Sequence, residues 1–126
     1  RLQDRGVPLD GVGFQAHVYE PGDELDSATL QNHMQTLASM GLSSRISEID
    51  VYGDSSSLQA TQYAEGLRAC LAVEACTSFS TWGISDKYGS TTEIGAYPLE
   101  LGNDLLWNSN MLPKYAQRKL VQQLKY

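Results

Sequence analysis

Three short apolar runs recur along this chain at nearly constant spacing, and each is followed by a helical stripe. Gln15, Glu48 and Trp82 stand near the ends of the three runs, 33 and 34 residues apart. The first run, Gly11 to Val18, follows the turn residues Pro8–Gly11 and reads as a strand. After a loop over 19–26, Ser27 can cap a helix whose face is Leu30, Met34, Leu37 and Ala38, with Gly41 placed to end it. The second strand runs from Arg45 to Tyr52. The loop Gly53–Ser57 leads to a helix with Tyr63, Leu67, Cys70 and Leu71 on one face. The third strand is Thr77 to Trp82. A long loop, Gly83 to Leu112, precedes a helix that starts near Pro113 and carries the stripe Ala116, Leu120, Leu124. A period in the low thirties also suits helical-pair repeats. Here each unit is strand then helix, so parallel β/α units are the expected class.

Three such units do not close a barrel, and they leave two open sheet edges. Residues Arg1–Gly6 read as the tail of a preceding helix. The chain is therefore expected to be part of a larger domain, with a small free-standing α/β sheet as the alternative. Its 126 residues leave room for one ordinary domain at most. The 41% hydrophobic content is enough for a core, so disorder is not expected. No apolar run approaches the roughly 20 residues of a membrane-spanning helix, so no membrane partner is expected. The net charge of -6, without a basic cluster, argues against nucleic acid, whose phosphates need Lys and Arg. Cys70 and Cys76 are too few for a four-cysteine zinc site. Their spacing fits a small disulfide loop or two buried thiols, and does not choose between them.

Side chains alternate along a strand, so residues two apart share a face. Gln15 points with His17, Glu48 with Asp50, and Ser80 with Trp82. Each pair sits at the C-terminal end of its strand, where function gathers in parallel β/α architectures. Taken singly, each has a plain structural explanation. His17 can be a satisfied rim histidine, Glu48 and Asp50 a solvated edge pair, and Trp82 a core residue. Together they converge on one cleft, and buried carboxylates need partners. A histidine with two carboxylates is also a known metal-ligand set. A tryptophan and an amide beside them favour a sugar platform over a metal, and no metal is expected.

These residues resemble the C-terminal part of glycoside hydrolase family 10, the retaining endo-β-1,4-xylanases. Four segments carry the resemblance. Gly6-Val7-Pro8-Leu9-Asp10-Gly11-Val12-Gly13-Phe14-Gln15-Ala16-His17 is similar to the entry into the family's sixth strand. Ser47-Glu48-Ile49-Asp50 is similar to its nucleophile motif, usually Thr-Glu-Leu-Asp. Cys70 through Asp86, with Thr81-Trp82-Gly83-Ile84-Ser85-Asp86-Lys87-Tyr88, is similar to the eighth-strand region. Gly102-Asn103-Asp104-Leu105-Leu106-Trp107, then Pro113-Lys114, is similar to the last loop and helix start.

The resemblance implies a fold: the last three β/α units of a TIM (β/α)8 barrel, so that residues 1–126 are an incomplete domain. It implies an activity: hydrolysis of internal β-1,4 bonds of xylan with retention. Glu48 then matches the nucleophile, and His17 the histidine that hydrogen-bonds it. Asp50 matches the acid that orients the histidine, Gln15 a polar residue of the same floor, and Trp82 an aromatic wall of the sugar site. Cys70 and Cys76 match cysteines that form a disulfide in many members, and with the disulfide comes an expectation of secretion. No cofactor is implied, because two carboxyl groups do the chemistry.

The departures are specific. The family's acid/base glutamate follows an asparagine, and no Asn-Glu pair occurs in this chain. A tryptophan usual two residues after the tyrosine matching Tyr88 is Ser90 here. The usual Pro-Lys-Pro-Ala-Tyr becomes Pro113-Lys114-Tyr115-Ala116-Gln117. Three explanations of an incomplete barrel stand: a fragment of a full enzyme, one half of a split barrel whose upstream part is a separate chain, or a truncated barrel that associates with itself. The competing functions are part of a xylanase, an inactive remnant that at most binds xylan or xylo-oligosaccharide, and a binding module unrelated to sugars.

Overall fold

The computed structural model describes residues 2–19, 22–53, 55–88 and 103–125. In chain order its elements are β1 (Gly11–Phe14), β2 (His17–Val18), α1 (Ser27–Ser39), β3 (Ser43–Val51), α2 (Ser56–Leu71), β4 (Cys76–Thr81) and α3 (Tyr115–Gln123). Short 3-10 turns lie at Gln3–Arg5 and Asp86–Tyr88. The expected helix tail before β1 is the first of these turns, ended by Gly6 at φ +72°.

β3 is the central strand. β1 and β2 both pair with one of its edges and β4 with the other, all parallel. This is the β/α alternation expected, with one correction. The strand expected over Gly11–Val18 is broken, because Ala16 adopts φ +63° and interrupts the pleat after Phe14. β1 pairs Phe14 with Ile46, and β2 resumes by pairing His17 with Asp50.

The helices start and stop for local reasons. Asp26, not Ser27, caps α1: its Oδ2 accepts from the Thr29 N–H at 2.8 Å. Gly41 at φ +76° follows the end of α1 and turns the chain into β3. Ser55 caps α2. Pro113 precedes α3 rather than opening it, and Lys114 holds the cap position.

The core lies between β3 and the helices. Met34 of α1, Ile46, Ile49 and Val51 of β3, and Tyr63 of α2 have no exposed surface. Ile46 and Ile49 reach the same place although three residues apart. A Cβ added to Gly66 on α2 would lie 3.4 Å from Cδ1 of Ile46 and 3.1 Å from Cδ1 of Ile49. Gly66 thus lets the helix sit close on the strand, which offsets its low helix propensity. Two residues on one face at a spacing of three require a bulge, and the β3–β4 register shifts between Ile46 and Ile49. Ala116 and Leu120 of α3 are buried in the same core, whereas Leu71 and Leu124, expected on the apolar stripes, are exposed.

A disulfide joins Cys70 of α2 to Cys76 of β4, with their Cα atoms 5.2 Å apart. This settles the choice that the spacing left open.

Candidate active site

The bulge in β3 decides which side chains leave the core. Ile46, Ile49 and Val51 are fully buried, while Glu48 and Asp50 fall between them at the C-terminal end of the strand. β2 enters register beside that end, and His17 pairs with Asp50. Trp82 follows β4, and its N–H donates to the Ile49 carbonyl at 3.1 Å. Three neighbouring strand ends therefore bring His17, Glu48, Asp50 and Trp82 together.

His17 stands next to each of the other three. His17 Nδ1 lies 2.7 Å from Asp50 Oδ1, and Nε2 lies 3.6 Å from Glu48 Oε2. The first is a hydrogen bond; the second is longer than one and becomes an ion pair when the ring is protonated. The His17 and Trp82 rings meet edge to face, with centroids 6.0 Å apart at 85°. Asp50 has no exposed surface, while the Glu48 and His17 side chains each keep 25%. Trp82 is 42% exposed. A partly open carboxylate is thus flanked by an imidazole that a buried carboxylate holds, next to an open indole face.

Burial raises the Asp50 pKa, because a charge there lacks water. Hydrogen bonds from His17 and from Tyr19 oppose that shift. The Tyr19 hydroxyl donates to Asp50 Oδ2 at 2.8 Å and lies 3.0 Å from His17 Nδ1. Its own pKa is pushed up, first by burial and then by Asp50.

A second layer holds the strand ends in place. Gln59 on α2 donates both to the Val51 carbonyl at 2.8 Å and to the Asn103 carbonyl at 2.7 Å. The Tyr63 hydroxyl donates to the Asp104 carbonyl at 2.7 Å, and the Val51 N–H donates to the same carbonyl. Asp86 accepts from the Leu105 N–H at 2.8 Å and from Lys114 Nζ at 3.0 Å. The Asp104 carboxylate is fully buried, and neither oxygen has a hydrogen-bond partner among the described residues. Burial, with Asp50 and Asp86 nearby, pushes its pKa up to about 6.

Among the described residues Gln15 shows no contact with the His17, Glu48, Asp50 and Trp82 side chains. It precedes the break at Ala16, is exposed, and makes no hydrogen bond among the described residues. Ser90 lies outside the described residues. Sequence reasoning passed over Tyr19, which it placed in a loop. The signal was there, since Tyr19 stands two residues after His17. Asp86, Asp104 and Lys114 were quoted only as parts of motifs, because nothing local marks their long-range partners. Among the described residues, no group of three His, Cys, Asp or Glu side chains is arranged to hold a metal ion. No described helix is long and apolar enough to cross a membrane.

Comparison with known proteins gives a consistent set of relatives. The family model of glycosyl hydrolase family 10 matches residues 1–123. The chain is 31% identical over 137 residues to Endo-1,4-beta-xylanase 2 of Aureobasidium pullulans, covering 98% of this chain and 37% of that protein. It is 34% identical over 118 residues to Endo-1,4-beta-xylanase 3 of Hypocrea jecorina, covering 93% of this chain and 29% of that one. Among solved structures, xylanase 10B from Thermotoga petrophila in complex with xylobiose superposes with a TM-score of 0.83 at 28% identity, over 98% of this chain and 38% of that one. Xylanase B from Clostridium stercorarium F9 superposes with a TM-score of 0.75 at 31% identity, over 95% and 39%. The chain thus spans 29% to 39% of the length of these four proteins.

Proposed function

The chain belongs to glycosyl hydrolase family 10, and on that premise we propose that it supplies the C-terminal three β/α units of a barrel that cleaves internal β-1,4 bonds of xylan with retention of configuration. The observation that carries this reading is the Glu48 carboxylate. It is partly open to solvent, flanked by His17, and backed by the buried Asp50.

In this reading Glu48 attacks the anomeric carbon and forms a glycosyl-enzyme intermediate, which water then hydrolyses. A second carboxyl group, roughly 5–5.5 Å from the first, protonates the leaving oxygen. No Asn-Glu pair stands in this chain, so that group comes from outside its 126 residues. A protonated His17 supplies positive charge beside Glu48, which favours the ionised nucleophile. Asp50 orients the imidazole. Trp82 offers a broad rigid face for a xylose ring, and the relative solved with xylobiose supports a xylo-oligosaccharide as ligand. Gln15, exposed beside the break in the strand, is assigned to the floor of the same cleft by resemblance. The partners are xylan and the remainder of the barrel, on the same chain, as a separate chain, or replaced by a second copy. The Cys70–Cys76 disulfide fits a secreted protein.

The test is Glu48→Gln in the complete barrel. Xylan hydrolysis should fall by roughly 1,000-fold or more, about 4 kcal/mol of barrier, while thermal unfolding stays unchanged. Full activity of the variant would remove Glu48 from the mechanism.

A further inference from the structure

We infer that Tyr19 is a positioning residue for the His17–Asp50 pair: its hydroxyl keeps the Nδ1 hydrogen of His17 on the Asp50 side, so that Nε2 is the nitrogen that gains and loses a proton beside Glu48. This rests on the proposed roles of Glu48, His17 and Asp50.

Three polar groups meet at short range. His17 Nδ1 is 2.7 Å from Asp50 Oδ1, the Tyr19 hydroxyl is 2.8 Å from Asp50 Oδ2, and that hydroxyl is 3.0 Å from Nδ1. An ionised Asp50 only accepts, so Nδ1–H and O–H both donate to it, one to each oxygen. If His17 carried its hydrogen on Nε2 alone, a bare Nδ1 would face two acceptors, since the hydroxyl hydrogen is already given to Asp50. That arrangement becomes good only if Asp50 takes a proton and donates it to Nδ1. Burial pushes Asp50 toward that neutral form, and the Tyr19 hydrogen bond opposes it. Because Asp50 has no exposed surface, water does not replace a lost donor. Tyr19 has contacts besides its hydroxyl. Its ring stacks on His17 with centroids 5.4 Å apart at 19°, and its backbone N–H donates to Asp23 at 3.3 Å.

Among the described residues the other groups acting on this cluster are Glu48 on β3, Tyr63 on α2, and Asp104 before α3. All of them remain in the variants below, so they bias each protein alike.

The test reads His17 directly by NMR on the full 126-residue chain, which holds two histidines, His17 and His33. Long-range proton–nitrogen correlations of the imidazole rings are recorded across the titration of the ring. In the unsubstituted protein Nδ1 should keep its hydrogen on both sides of the titration, and only the Nε2 shift should move. Tyr19→Phe retains the stacked ring and removes the hydroxyl. It should lower the Nδ1-protonated share of the neutral ring, and speed exchange of that hydrogen with water by about tenfold, the effect of losing one hydrogen bond. Unchanged His17 signals in Tyr19→Phe overturn the inference. Asp50→Asn separates the two levels. If it alters His17 while Tyr19→Phe does not, the inference falls and the His17–Asp50 pairing stands. If the unsubstituted protein already carries its hydrogen on Nε2 alone, both fall, and that result needs no variant to fold.

Discussion

Asp104 and Asp50 show how little the identity of a carboxylate decides by itself. Asp50 is buried but accepts two hydrogen bonds, whereas Asp104 is buried and accepts none at its side chain from the described residues. The Asp104 pKa is raised from 3.8 to about 6. Between those values the folded chain holds a proton that the unfolded chain has released. Stability is therefore full below pH 3.8 and falls as pH rises through about 6. Asp104→Asn removes this dependence. Relative to the unsubstituted chain, the variant should gain on the order of 2 kcal/mol between pH 4 and pH 7.5, read from urea unfolding at the two pH values. An equal stability difference at both would show that Asp104 does not titrate as described. Tyr19 belongs to the same scale, since one hydroxyl chooses between two arrangements of protons on His17.

The elements are held by caps, a bulge and one covalent link. The bulge in β3 does the most for the site, because it sends Ile46 and Ile49 into the core and leaves Glu48 and Asp50 at the strand end. A regular strand would put Ile46 and Glu48 on one face. The Cys70–Cys76 link ties the end of α2 to the start of β4, whose Phe79 and Thr81 pair with β3 and lead into Trp82. Closing so short a loop restricts the unfolded chain modestly. Replacing both cysteines by alanine should cost about 2 kcal/mol, measured by chemical unfolding under non-reducing conditions. No loss of stability would mean that the α2–β4 turn is held by its backbone hydrogen bonds alone.

At the scale of the whole molecule, the sheet has three strand positions and helices on one face. Among the described residues the outer edges of β1 and β4 are unpaired, and Arg45 on β3 and Thr77 on β4 are exposed. Such edges associate unless covered. The proposed remainder of the barrel covers them and supplies the acid/base group. The pure 126-residue chain should then show no xylan turnover, with or without Glu48→Gln, while at most binding xylo-oligosaccharide through Trp82. Hydrolysis by the pure chain that is lost in Glu48→Gln would show that these residues hold a complete site. Native mass beside denatured mass would identify what covers the edges: a second, larger chain, a second copy, or nothing.

Much of this was legible in the amino-acid order. The strand–helix alternation was legible because burial writes a period of two or 3.6 into neighbouring residues, and the place of His17, Glu48, Asp50 and Trp82 at strand ends followed from where those periods end. Motif likeness pointed to the Cys70–Cys76 pair as a disulfide, and tertiary structure settled it. What only the tertiary structure decided depends on register and on partners distant in sequence. The left-handed Ala16 broke the first strand between Phe14 and His17. The bulge between Ile46 and Ile49 aimed Glu48. Tyr19 met Asp50 across 31 residues, and Tyr63 met the Asp104 carbonyl across 41. Local periodicity reports which face a residue occupies. It carries no record of which atom on another element will stand within 3 Å, because that is set only when the sheet and helices have packed.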